Sequence, residues 1–103
     1  MSQPRRYDLH EILVEILGSR NVYYQPPATV KMQYPCIVYG LDDLTVRHAN
    51  DGLYSRKTRY QVTAMYKDPD SDLPHQIASI PYASFDTQFV SDGLIHSVLS
   101  LYF

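Results

Sequence analysis

One cysteine, Cys36, stands among 103 residues, so an intramolecular disulfide is excluded. Tryptophan is absent. Glycine occurs four times, at turns and element ends, and none of the four builds a glycine-rich phosphate loop. No apolar run is long enough to cross a bilayer as a helix. The opening stretch MSQPRRYDLHEILVEILG has acidic residues breaking its apolar part and no small-residue cleavage site after it, so a signal peptide is not expected. Neither sign of charge dominates. The formal net charge is -2, which gives no basic footprint for nonspecific nucleic-acid binding. The expectation is one soluble, cytoplasmically made domain, able to bury roughly 60–70% of its unfolded surface.

Tyrosine is what the chain has in excess: ten, against three phenylalanines. Tyrosine suits strands, and it suits contact surfaces, where an apolar ring and a polar tip are both useful. The strand signals are plentiful. Asn21–Gln25 is short and stopped by Pro26-Pro27. Cys36–Leu41 (CIVYGL) follows Pro35 and is β-branched and apolar, the pattern of a well-covered strand. Asp42-Asp43 marks a bulge or bend. From Tyr54 to Tyr66 the chain reads as extended. Tyr60, Val62, Ala64 and Tyr66 share one face, and Arg59, Gln61, Thr63 and Met65 share the other. Phe85–Val90 and Leu94–Leu101 form a hairpin turned at Ser91-Asp92-Gly93.

Two helices complete the pattern. Over residues 8–17, Leu9, Ile12, Leu13, Ile16 and Leu17 make one apolar stripe at helical spacing. Asp8 and Glu11 have capping-box spacing, and Gly18 supplies the left-handed end. A second helix over 73–79 is predicted with Asp72 as cap and Pro74 in its first turn. Asp68-Pro69-Asp70-Ser71 precedes it as a turn. The order α-β-β-β-α-β-β defines an α+β domain: a mainly antiparallel sheet with two helices on one face. Its expected core includes Leu9, Leu13, Leu17, Ile37, Tyr60, Val62, Ile77, Val98 and Leu101.

Candidate chemistry is sparse. Asp68-Pro69-Asp70-Ser71-Asp72 opens like a calcium loop, but Leu73 stands where glycine is needed and Ser79 where the bidentate glutamate is needed. Cys36 sits inside an apolar strand with no catalytic signature around it. His10, His48, His75 and His96 show neither HxxxH nor HExxH spacing. No catalytic residue, cofactor site or metal site is assigned, and no enzymatic activity is expected. What remains is a basic cluster: Arg47, Arg56 and Lys57 on a polar hairpin at residues 43–57 (DLTVRHANDGLYSRK), with Arg59 two residues beyond it. Such charges either protect a strand edge or steer an acidic partner. The expectation is a subunit or partner interface, with Tyr54 as aromatic anchor and the four cations around it.

The stretches NVYYQPP (21–27), YPCIVYGLDDL (34–44), RYQVTAMYKDPDSDLPHQIASIPYASFD (59–86) and VSDGLIHSVLSLYF (90–103) run in an order and spacing that resemble the tail-completion or tail-terminator neck proteins of long-tailed bacteriophages. Each stretch alone is ordinary strand and turn sequence. The resemblance implies a virion structural protein that forms a homohexameric ring. Such a ring caps the tail tube and presents a surface to the head-closure or connector protein. DNA passes through its lumen without sequence-specific binding, and no cofactor or membrane is involved. Two alternatives stay open: another neck position such as head closure, or a non-viral α+β binding domain or enzyme.

Overall fold

The computed structural model describes residues 5–43 and 58–103. Its elements are α1 (Arg5–Leu17), β1 (Val22–Tyr24), β2 (Cys36–Asp43), β3 (Arg59–Tyr66), α2 (Leu73–Ala78), β4 (Ala83–Ser91) and β5 (Leu94–Tyr102). The fold is α+β, in the order read from the sequence. The five strands lie in one sheet, β1-β2-β3-β5-β4. All neighbours are antiparallel except β1 and β2, which run parallel. Parallel neighbours need a crossover connection, which is the work of the loop after β1.

Alternation in β3 decides how the sheet faces. Tyr60, Val62, Ala64 and Tyr66 are all buried, and the residues between them are half-buried or exposed. Across the ladder they meet Ile37 and Tyr39 of β2 and Ser97, Leu99 and Leu101 of β5. Leu9 and Leu13 of α1 and Leu73 and Ile77 of α2 close over the same apolar face. Each fully buried aliphatic side chain contributes roughly 1.5–3 kcal/mol through the surface it removes from water. Of the expected core, Leu17 is only half-buried, because it lies on the flank of the α1 stripe. Val98 is buried on the opposite side of the sheet, where it pairs with Thr63 and Thr87.

The helix starts differ from the sequence reading. Asp8 is not the cap of α1; the helix already includes Arg5, so Asp8 lies in its first turn. Asp72 occupies the cap position of α2 but its side chain makes no capping bond. The Ser71 hydroxyl accepts from the Leu73 N–H instead, at 3.2 Å. Upstream, Asp68 is committed to its own turn: its side chain accepts from Asp70 N–H at 2.9 Å, and its carbonyl from Ser71 N–H at 3.0 Å. The end of α1 is as expected, with Gly18 at φ 82° and its N–H on the Val14 carbonyl.

Turn chemistry also fits the hairpin. Asp92 (φ 54°) and Gly93 (φ 74°) are the two loop residues between paired Ser91 and Leu94. Positive φ at both positions is a type I′ turn, whose twist matches that of the strands. Bulges interrupt the ladders at two acidic positions. One falls between Leu41 and Asp43, as the Asp42-Asp43 pair suggested; the other falls between Phe85 and Thr87, at Asp86.

Candidate functional site

Of the five residues expected at an interface, Arg47, Tyr54, Arg56 and Lys57 lie outside the described residues, as does all but the first residue of the hairpin expected at 43–57. Arg59 is described, and it is not a free surface cation. It opens β3, half-buried, with its Nε 2.9 Å from the Asp42 carboxylate. The approach is a charge contact whose geometry falls short of a hydrogen bond. Reversing Arg59 would set two carboxylates side by side, so Arg56 and Lys57 are the better positions at which to test the basic cluster.

The two sheet edges are handled in opposite ways. At one edge β1 is only three residues long. Beyond it Gln25 (φ 43°) folds its side chain over Gly40 and accepts from the Leu41 N–H at 2.9 Å. A Cβ on Gly40 would come within 2.9 Å of the Gln25 Cγ, so glycine is what lets that cap close down. The other edge, β4, runs nine residues, and no described element pairs with its outer side.

Edge strands are usually blunted by charge, proline or bulges. The bulge at Asp86, whose carboxylate accepts from the Ser100 hydroxyl, interrupts the first half of β4. The second half, Thr87–Ser91, carries no charge. There Phe89 is 47% exposed, stacked on His96 at 4.8 Å, and Val90 is 71% exposed. Phe85 adds a third exposed apolar side chain before the bulge. The sequence reading placed this strand but missed it as a surface. The signal available was the lack of Lys, Arg and Pro across 83–91.

A groove of about 640 Å³ opens at the end of the sheet where β3 finishes. Ile16 and Leu17 from the end of α1, Tyr34 and Pro35 before β2, and Leu73 of α2 form its apolar walls. Asp68 and Asp72 stand on its rim with Lys67, and exposed Asp70 follows in the same turn. Among the described residues no group of three His, Cys, Asp or Glu side chains is arranged to hold a metal ion.

Two tyrosine hydroxyls in the interior are satisfied by neighbouring side chains. Tyr66 Oη lies 2.8 Å from Ser97 Oγ, and Gln88 Nε2 donates to both, which ties β3, β5 and β4 together. Tyr39 is fully buried, yet its hydroxyl meets two partners on α1. Arg6 donates to it at 3.1 Å, and His10 Nδ1 lies 2.7 Å away. A neutral His10 protonated at Nε2 would let Nδ1 accept the hydroxyl proton while Arg6 donates to the oxygen, which satisfies every group in the contact. The Arg6 guanidinium also lies over Tyr24 at 4.1 Å and Tyr7 at 4.6 Å.

Burial, and then the Arg6 charge, lower the His10 pKa below its ordinary value. The unfolded chain therefore takes up a proton as pH falls through about 6.5, before the folded chain does. The stability carried by neutral His10 is present above about pH 6.5 and is lost as pH falls from there through the folded pKa. Urea midpoints measured at about pH 7.5 and about pH 5 are expected to fall further for the wild type than for His10→Gln. Equal falls in the two proteins would remove His10 from the acid response.

Cys36 is fully buried, and burial pushes its thiol up to about 11. A thiol with so little thiolate at neutral pH is a poor nucleophile. Iodoacetamide at about pH 8 is expected to label it ~100-fold more slowly in the folded protein than in urea. Labelling at the unfolded rate under native conditions would reopen a nucleophilic role.

Comparison of the chain with protein-family models, with curated proteins and with solved structures finds no match.

Proposed function

We propose that this protein is an assembly module of a long-tailed bacteriophage neck: a tail-terminator or tail-completion subunit whose copies close into a homohexameric ring on the tail tube. The reading assigns no catalytic step. Its work is surface complementarity, with heterologous contacts that close on themselves, one face of the ring toward the tube and the other toward the head-closure or connector protein. DNA would pass through the lumen, held by no base-specific contact, and the mature location would be the virion.

The observation that carries the reading is the outer side of β4 over Thr87–Ser91, with which no described element pairs, uncharged and bearing Phe89 and Val90 in solvent. A strand of this kind gains by pairing or packing with another chain. The resemblance carried by the four stretches between residues 21 and 103 supports a tail-neck ring as the kind of assembly. Electron microscopy of the purified protein, alone and with tail tubes, tests it. Six-fold rings with a central hole, seated at tube ends and halting their growth, are the expected result. Compact monomers at high concentration, with tubes that keep growing in their presence, would overturn it.

A further inference from the structure

The groove beside α2 and the segment 44–57 lie toward opposite poles of the sheet. β2 ends at Asp43 and β3 begins at Arg59, paired with each other, so segment 44–57 leaves and rejoins the fold at that pole. The groove lies beyond Tyr66, at the far end of β3. The eight residues of β3 separate the two, and from first to last they span about 24 Å at ~3.4 Å per step.

The two poles differ in charge. Segment 44–57 carries Arg47, Arg56 and Lys57 against a single Asp51, and it holds one large aromatic, Tyr54. The turn at the groove carries Asp68, Asp70 and Asp72 against a single Lys67. Apolar walls of Ile16, Leu17, Tyr34 and Leu73 lie under that rim. An apolar slot with an acidic rim suits a segment that sets an aromatic ring beside two cations, as Tyr54-Ser55-Arg56-Lys57 does.

We infer that the groove bounded by Ile16, Leu17, Tyr34, Asp68, Asp72 and Leu73 receives residues 44–57 of a second copy of this chain. Fourteen residues that leave and return at one point reach at most about 24 Å. Filling the groove of the same molecule would need the whole segment laid flat along the full length of the sheet. A neighbouring copy meets no such constraint. Because donor and acceptor lie at opposite poles, the contact is heterologous and repeats head to tail, and it closes into a ring where the rotation from copy to copy closes. The inference rests on the self-assembly reading above and supplies the contact surfaces that it leaves open.

The test uses the full-length ¹⁵N-labelled protein and a synthetic peptide, LTVRHANDGLYSRK, spanning 44–57. Amide shifts are expected at Leu17, Leu73 and Gln76 on titration. The acceptor variant is Asp68→Asn with Asp72→Lys. Asparagine keeps the side-chain acceptor that the Asp70 N–H uses, and Asp72 makes no capping bond to lose. This variant is expected to bind the peptide at least about tenfold more weakly. A peptide carrying Arg56→Glu and Lys57→Glu should lose affinity for the wild type and regain it on the acceptor variant.

No shift at these amides at millimolar peptide, or an affinity indifferent to Asp72→Lys, would overturn the inference. The ring reading is tested apart from it. Six-fold rings formed at wild-type yield by the acceptor variant would sink this contact and leave the ring standing. A peptide held in the groove by a protein that never rings a tail tube would do the reverse.

Discussion

Leu13→Ala is expected to lower the unfolding free energy by about 3 kcal/mol, within the 2–5 kcal/mol typical of leucine truncation in a core. Leu13 has no exposed surface. It lies at the centre of the α1 stripe and belongs to the apolar cluster that joins α1 and α2 to the sheet. Truncation removes its transfer energy and leaves a void that the strands beneath, held in ladder register, cannot collapse to fill. Against a total of about 5–15 kcal/mol for a domain, that is a large fraction. A fall in Tm on the order of 15 °C would accompany it. Urea denaturation should show a lower midpoint with an unchanged slope. Half-buried Ile12 is the internal comparison, and Ile12→Ala should cost about 1 kcal/mol. Equal losses at the two positions would mean that α1 does not bury its Leu9–Leu13 face as described.

Phe89→Lys combined with Val90→Lys is expected to reduce assembly of the proposed ring by tenfold or more while the monomer stays folded. Val90 is the most exposed large apolar residue described, and Phe89, its neighbour within β4, lies on the other face, so the pair sets charge on both faces of the edge. The folding cost is small. Removing the Phe89–His96 stack forfeits roughly 0.5–1.5 kcal/mol, and an exposed valine within a strand contributes little. The assembly cost is larger, because two ammonium groups must be desolvated wherever that edge meets another chain. One apolar anchor in an interface is commonly worth about 1–2 kcal/mol, and 1.4 kcal/mol is a factor of ten. Ring yield on tail tubes, with circular dichroism as the folding control, is the measurement. Wild-type yield would remove β4 from the interface, and with it the observation on which the proposed function rests.

The interface expected from sequence centred on charge, at Arg47, Arg56, Lys57 and Arg59, with Tyr54 among them. Only Arg59 is described, and there the structure turned an expected surface cation into the partner of Asp42. Nothing in the sequence around residue 59 announces that pairing. It depends on the bulge between Leu41 and Asp43, which sets the register of β2 against β3. The β4 edge was hidden for a similar reason. Phe85–Val90 reads like any amphipathic hairpin strand, and whether a strand is central or at an edge depends on the order of the sheet, not on its own residues. The groove was harder still to see. Its walls come from four places in the chain: the end of α1, the approach to β2, the turn after β3, and α2.

Periodicity and turn chemistry were enough to place two helices and five strands in order, because the apolar spacings of 3.6 and 2 are properties of the local chain. They also placed the Gly18 helix end and the Asp92-Gly93 turn, since positive φ is a cost that each residue meets locally. Tertiary structure decided what depends on distant partners. It set the parallel pairing of β1 with β2, the order that puts β4 at an edge, and the Tyr39 hydroxyl between Arg6 and His10. It also made Ser71, not Asp72, the residue that bonds to the start of α2. A hydrogen bond or a strand neighbour is specified by two segments at once, and a sequence read along its length displays them only one at a time.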